Sequence, residues 1–582
     1  MADIVFVNET EKLELRQETN GTLLLATKLL QAGIDTQVLR FGQMEHYNRD
    51  YAAFIREITG KILAKSPKCV AFYTLWPYYH IVLRIARCLK EADSDIAIIL
   101  GGPQASATAQ ATMEAMEFVD YICTGEGEDT IVPFVQALLR KDTGALARIP
   151  GLYYRSQGAV CHCEEQIPLC DLNSLPHWDD RLLCRQAEGD IDSPYYFMPI
   201  DAGRGCPYNC TFCCTSHFWR RTYRLKSAQR IVDDIRYYYD KFGIRSFWFS
   251  HDAFTTNRQL VSDVCDRILE AGLQITWRCT TRIDCISEEL ILKMQRSGMT
   301  SIELGIETGS AKMQKLTNKR LNLEKSQQMI RFLLKQNIRV GLFFMYGFPE
   351  ENEQDLNETL ELLFSLVDLG IHNASMSYCR FNPATAITEQ YYDQLEFDPQ
   401  RNILFRRIFG FREEQDIIAA NKAMFPFFFH LHTKVRDEYQ YLYCFAHLYQ
   451  QFPQSIKFLR QLYGGDNLRF YRDYCRANPG LFDDLNLAVE KIDNHPMELF
   501  DNMLRLVDSP KLPQLRSLLQ FCFDSHQVFY GKEDTVVQKI YDFRYVDYKL
   551  RLPLEQYGVG KTEILLKREK GKKELKIIRF IT

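Results

Sequence analysis

The sequence predicts an α/β protein: a doubly wound, Rossmann-like domain, then a (β/α)6 partial barrel, then a mainly helical C-terminal domain. Three observations predict it. Strand-sized apolar runs alternate with amphipathic helices from the start to about residue 140, and again from about residue 191 to residue 395. The first-series strands are apolar nearly throughout, as in parallel sheets covered on both faces. Beyond about Leu395 the alternation stops, and helical spacing rich in Tyr and Phe takes over.

In the first domain, residues 1–140, "DIVFVN" reads as a buried strand and "GTLLLATKLLQAG" as a helix closed by glycine. "DTQVLRF" and "KCVAFYT" are the next strands, "YHIVLRIARCLKEA" a helix, and "DIAIILGGP" a fourth strand ending in glycines. Ligands of such sheets bind at the carboxyl ends of the strands, where Asn8, Thr74, Gly101, Gly102 and the turn "TGEGE" with Gly125 and Glu126 fall. Residues 141–190 read as a hairpin, "GLYYRSQGAVCHC", and an extended linker, "DLNSLPHW". Cys161, Cys163 and Cys170 lie there beside His162, and alternation along a strand accounts for them more simply than a metal site. Residues 191–395 repeat strand and helix six times, from "YFMPIDAGRGC" to "NASMSYCRFNP". That length suits six units better than the eight-unit barrel of about 250 residues. Residues 396–582 form an accessory domain whose aromatics read as core and whose end, "KTEILLKREKGKKELKIIRFIT", reads as a β-hairpin with a solvated basic turn.

At 582 residues the chain exceeds a single core. A net charge of −4 and a pI near 6.4 leave no basic field for general nucleic-acid binding. The opening "MADIVFVNET" has no basic leader, and no apolar run approaches the roughly 20 residues of a membrane helix, so a cytoplasmic protein without a span is expected. Eighteen cysteines in that reducing setting are not expected to form disulfides. Cys69, Cys88, Cys265, Cys444, Cys475 and Cys522 stand singly among apolar neighbours and read as small buried hydrophobes.

The stretch "GRGCPYNCTFCC" is different. Cys206, Cys210 and Cys213 are spaced C-x3-C-x2-C, with no further cysteine or histidine pair at zinc-finger distance. Three thiolates without a fourth suit a four-iron cluster with one open iron, whereas structural zinc wants a closed set of four. Gly203, Gly205 and Pro207 permit the tight turning this requires, and Cys214 reads as a bystander.

With this loop after the first barrel strand, and "LGGPQAS" and "VDYICTGEGEDTIVPFVQALL" in the domain before it, the chain resembles the cobalamin-binding-domain branch of the radical S-adenosylmethionine (SAM) superfamily over about residues 1–395. The resemblance implies that Cys206, Cys210 and Cys213 hold a [4Fe–4S] cluster whose open iron takes SAM. It places Phe212 by the adenine, Asp252 of "FSHDAFT" at the SAM ammonium and Arg282 of "TTRID" at its carboxylate. Glu307 of "ELGIETGS" matches the ribose-binding acid, and "FFMYGFPEE", with Gly347 and Pro349, matches the motif near adenine. It further implies cobalamin on the first domain, yet "VFVNETEKLELRQETNG" lacks the Asp-x-His-x-x-Gly ligand motif and His46 comes after the second strand. Cobalamin without a protein axial ligand and a vestigial domain are the two alternatives.

The implied chemistry is reductive cleavage of SAM to a 5′-deoxyadenosyl radical, fed by a flavodoxin- or ferredoxin-type reductant. Methylation of an unactivated carbon or a phosphinate is the first expectation. The alternatives are cyclisation, rearrangement or oxidation with or without cobalamin, and a non-catalytic iron–sulfur redox or binding protein. The substrate class stays open between a small molecule, a lipid and a peptide. Arg220, Arg221 and Arg224 read as anchors of the cysteine loop, and Cys379 as buried packing.

Overall fold

A computed structural model describes residues 2–10, 20–42, 50–169, 171–182, 197–399, 408–481, 496–505, 512–530, 536–543, 560–569 and 572–581. Cys170, His46 and most of the segment after the first strand lie outside the described residues. Two compact units interleave along the chain: Met1–Gly305, Lys315–Arg339 and Arg380–His432 make the first, and Ile306–Gln314, Val340–Cys379 and Thr433–Thr582 the second.

The first unit opens with β1 (Ile4–Thr10), α1 (Asn20–Gln31), β2 (Thr36–Gly42), α2 (Tyr51–Leu63), β3 (Cys69–Tyr73) and α3 (Tyr79–Ala92). It continues with β4 (Ala97–Gly101), α4 (Pro103–Ala107), α5 (Ala109–Ala115), β5 (Tyr121–Cys123), α6 (Ile131–Arg140) and α7 (Thr143–Leu146). Strands β1 to β5 are parallel in the order β2-β1-β3-β4-β5, so the chain reverses direction across the sheet between β1 and β3. That is the doubly wound arrangement expected. The hairpin of β6 (Leu152–Ser156) and β7 (Ala159–His162) forms, and β6 pairs antiparallel with β5, extending the same sheet. Alternation signals a hairpin but not its neighbour, so this pairing was invisible in the sequence. Cys163 Sγ lies 3.2 Å from the Ala147 carbonyl oxygen.

The second series starts with β8 (Met198–Asp201), β9 (Gly203–Gly205), α8 (Thr215–Phe218), β10 (Tyr223–Leu225), α9 (Ala228–Phe242) and β11 (Ser246–Ser250). Then follow α10 (Arg258–Glu270), β12 (Thr276–Thr281), α11 (Glu288–Arg296) and β13 (Met299–Glu307), which runs into the second unit. In the first unit β8, β11, β12 and β13 are parallel neighbours. The helices start where short polar residues cap them: Ser227, Asn257 and Ser287 accept from Arg230, Leu260 and Leu290 N–H. Gly243, at φ +72°, closes α9. α12 (Ala311–Leu316) and α13 (Leu323–Lys335) precede β14 (Arg339–Tyr346), α14 (Glu353–Asp368) and β15 (Asn373–Tyr378). In the second unit β14 and β15 pair in parallel, and Asn352 and Asp355 form a reciprocal capping box on α14. The six expected strands are therefore present, each of the first five followed by helix.

The segment 408–428 belongs to the first unit, where Phe409, Phe411, Ile418, Met424, Phe425 and Phe428 join the apolar core of the N-terminal domain. Buried Glu414 binds Tyr51 and takes Arg84 in a bidentate pair. His80 Nε2 and Gln104 Nε2 reach the carbonyls of Phe409 and Met424, both at 2.8 Å. The second unit ends in helices and a three-stranded antiparallel sheet, Val536–Tyr541 beside Lys561–Glu569 beside Lys572–Ile581. Among the single cysteines Cys69, Cys265 and Cys444 are buried, while Cys88, Cys475 and Cys522 keep part of their surface.

Candidate functional site

The cysteine loop is an excursion closed at its base by β9 and β10, paired antiparallel from Gly203↔Leu225 to Gly205↔Tyr223. Gly205 sits at φ +82°, and a Cβ there would lie 2.0 Å from the Thr222 carbonyl oxygen, so only glycine fits the stem. Backbone bonds fix the loop: Cys213 N–H to Cys210 O, Thr211 N–H to Thr317 O, and Ile387 N–H to Thr211 O. Asn318 Nδ2 adds a bond to Asn209 O. Cys206, Cys210 and Cys213 all stay partly exposed, as does Phe212. Desolvation pushes the Cys206 thiol up to about 11, and the neighbouring Cys213, Asp252 and Cys210 add to it. A cationic iron centre would reverse this by stabilising the thiolates, so the donor set fits a cluster.

Asp252 stands just beyond β11, exposed but crowded by protein, and desolvation raises its carboxyl to about 6. It makes no hydrogen bond or ion pair with the described residues, and its charge is felt by Cys206 and Cys214. The neighbouring His251 is buried and lowered to about 4 by desolvation, with Nδ1 accepting from Ala253 N–H. Arg282, at the end of β12, is buried and points to the same loop: Nη1 lies 3.8 Å from Cys210 Sγ, and its guanidinium lies 3.9 Å over the Tyr208 ring. Nε and Nη2 grip Asp284 at 3.0 and 2.8 Å, and Nη2 also donates to Lys319 O. Four of its five N–H groups are therefore engaged.

The expected ribose and adenine residues lie in the second unit. Glu307 is buried at φ +68°, a left-handed conformation that an ordinary side chain adopts only at a cost. The turn after it packs on α14: Thr308 Oγ meets Thr359 Oγ at 3.0 Å and Ser310 Oγ donates to Asp355 at 2.7 Å. Gly347, at φ +78°, would drive a Cβ into the Tyr378 ring at 2.8 Å. Its N–H donates to Glu351, which is buried, has Oε1 unpartnered, and is raised to about 8 by desolvation. Cys379 is fully buried there.

On the first domain, the strand ends gather Asn8, Thr74, Gly101 and Gly102. Asn8 accepts from Thr22, while Thr74 Oγ donates to Gly101 O and accepts from Ala105 N–H. Gly102, at φ +95°, has Thr74 backbone atoms 3.0 Å from where a Cβ would be. These residues shape a tight turn, with the Thr74 hydroxyl bonded inside the fold, which fits close approach of a corrin to the backbone. The face lies against the cysteine loop: α4 packs on α8, and the Tyr73 hydroxyl is raised to about 12 by desolvation, with a contribution from Cys214. Gly125 N–H donates to Ser106. Glu126 is engaged within the fold. Its oxygens accept from Arg204 Nη1, from Arg224 Nη1 and Nη2, and from Leu169 N–H, two donors to each oxygen. A carboxylate offers about four such positions, so none is left for a ligand.

Tyr208, Asp284, Arg204, Glu128, Tyr73 and Glu351 were not singled out in the sequence. For Asp284 the signal was present, since an acid two residues after Arg282 in a single 3-10 turn is well placed to grip it. For Arg204 and Glu128 no local signal exists, because their partners are distant in sequence.

The radical SAM superfamily model matches residues 200–363, so a radical SAM domain is present. The B12 binding domain model matches residues 10–135, so such a domain precedes it. It is 25% identical over 336 residues to an uncharacterized methyltransferase from Pyrococcus horikoshii, covering 58% of this chain and 69% of that one. It is 24% identical over 322 residues to an anaerobic magnesium-protoporphyrin IX monomethyl ester cyclase from Rubrivivax gelatinosus, covering 53% of this chain and 56% of that one. The chain thus spans little more than half of the cyclase. The hopanoid C-3 methylase of Methylococcus capsulatus is 25% identical over 340 residues, covering 57% and 61%. Among solved structures, the cobalamin-dependent SAM radical enzyme OxsB with aqua-cobalamin bound shares the fold at TM-score 0.56 and 15% identity, over 90% of this chain and 84% of that one. The SAM methyltransferase TsrM from Kitasatospora setae, with cobalamin and a [4Fe–4S] cluster, does so at TM-score 0.53 and 16% identity, over 68% and 75%. No helix among the described residues is long and apolar enough to cross a membrane.

Proposed function

We propose that this protein is a cobalamin-dependent radical SAM methyltransferase that methylates an unactivated carbon or a phosphinate centre of a small molecule. One observation carries the reading: three partly exposed thiols, the unpartnered Asp252 and the Arg282 guanidinium are neighbours around one loop, and α4 of the B12-type domain packs on α8 of the same loop. When bound, the cluster supplies the electron that cleaves SAM, and cobalamin carries the methyl group. The chain's own work is orientation. Asp252, charged above about pH 6, accepts from the SAM ammonium, and Arg282 donates to its carboxylate once Asp284 yields. Glu307 accepts from the ribose, and the Gly347 turn shapes an adenine surface. Arg220 pairs with Glu165 and Arg224 with Glu126, which supports their reading as loop anchors. The reductant is a flavodoxin- or ferredoxin-type protein, and the setting is the cytoplasm, where free thiols persist.

Similarity to the magnesium-protoporphyrin cyclase favours a second reading, an oxidative ring closure. Anaerobic reconstitution with iron, sulfide and hydroxocobalamin, followed by incubation with SAM and a reductant, separates the two. Methyl transfer predicts about four irons and about one cobalt per chain, with S-adenosylhomocysteine formed beside 5′-deoxyadenosine. Iron without cobalt, or 5′-deoxyadenosine alone, would sink methyl transfer.

A further inference from the structure

We infer that the acidic turn Glu126–Gly127–Glu128 of the B12-type domain is a clamp that positions the cysteine loop, and that the Glu126 carboxylate binds no cofactor. The clamp rests on its own geometry; its consequence for catalysis rests on the reading that the loop holds the cluster.

Arg204 is two residues before Cys206, in the stem strand β9, and is buried. It divides its guanidinium between the two acids, with Nη1 on Glu126 and Nη2 on Glu128, both at 2.6 Å. Arg224 comes from the opposite stem strand, β10, and reaches Glu126 at 2.8 and 3.1 Å. One carboxylate therefore holds both strands that close the loop. Leu169 N–H completes the set at 2.7 Å, tying in the segment after the hairpin. Trp219, inside the loop, lies 5.7 Å from the Arg204 guanidinium and 6.0 Å from that of Arg224. The same stem has no slack at Gly205. Burial alone would raise the Glu126 carboxyl, yet Arg224 and Arg204 hold it below its usual range, so it stays an anion between two cations. Such a charge-assisted, bidentate arrangement fixes direction as well as distance. It sets where the three thiols stand relative to the face formed by Thr74 and Gly102.

Hydrogen–deuterium exchange on the full chain, without added cofactors, tests this, using E126Q, R224Q and R224K. Gln keeps the size of Glu but sets an NH2 against N–H donors. Amides of residues 206–222 should exchange at least about tenfold faster in E126Q and R224Q, with strands β1 to β4 unchanged and R224K intermediate. Hydroxocobalamin affinity, read from its visible spectrum, should match wild type in both. In the iron-loaded chain the midpoint potential should rise in E126Q, because a buried cation beside the loop loses its counter-charge. Unchanged loop exchange in E126Q and R224Q would overturn the clamp, and loss of cobalamin affinity in E126Q with an unchanged loop would return Glu126 to a ligand role. If E126Q does not fold, R224Q and R224K decide the matter from the other side of the pair. A wild-type chain that takes up no iron would end the functional reading and leave the exchange result standing.

Discussion

At the scale of single residues, the site is held in readiness by interactions that a ligand must displace. Arg282 is the clearest case, because the fork suited to a SAM carboxylate is spent on Asp284. An ion pair with one partner partly exposed is cheap to break, and the Asp284 side chain keeps 42% of its surface in solvent. D284N should therefore free Arg282 and tighten SAM binding, by several-fold at least, whereas R282Q weakens it. Isothermal titration with SAM checks this, and equal affinities in D284N and wild type would remove Arg282 from the SAM site. The cysteines, Asp252 and Arg282 were legible from spacing and resemblance. The engagement of Arg282 with Asp284 and Lys319, and the saturation of Glu126, were not, because both depend on atoms brought together by folding.

At the scale of elements, the turn after β14 illustrates how a strand end is held in shape. Gly347 takes φ +78° with Tyr378 where a side chain would be, and its N–H is received by the buried Glu351. Desolvation lifts that carboxyl from an ordinary 4.5 to about 8, so the native turn keeps a proton that the unfolded chain releases. Stability of the second unit should then fall as pH rises from about 4.5 to about 8, since the unfolded state binds fewer protons across that window. E351Q should flatten this slope. Urea midpoints taken between pH 5 and 8 measure it, and parallel slopes in the two proteins would show that Glu351 is not the titrating group. Sequence reading found this element by motif, and the glycine's necessity follows from it. The neutral acid beneath it was hidden, because burial is a property of the packed turn.

At the scale of the whole molecule, the chain does not divide where its composition changes. Residues 408–428 lie beyond the point at which strand–helix alternation ends, yet they complete the core of the first domain through Phe409, Phe425 and Phe428. Phe428 is fully buried, stacks on Phe411 and meets His80 edge-on. F428A should cost about 3–5 kcal/mol in the unfolding step of the first unit, and denaturant titration followed by fluorescence reads that loss. A wild-type midpoint would mean that the segment is dispensable to that core.

What the sequence by itself determined was whatever repeats or clusters locally: parallel strands by their apolar runs, helix ends by caps and glycines, the cysteine loop by its spacing, and the order of the two α/β series. The tertiary structure alone decided which edge the β6–β7 hairpin joins, which acid grips Arg204 and Arg224, and which domain the segment 408–428 covers. The physical reason is the range of the forces. Periodicity and capping act within a few residues and are written in the chain, whereas burial and charge pairing depend on partners hundreds of residues apart, such as Tyr51 with Glu414, and exist only once the chain is folded.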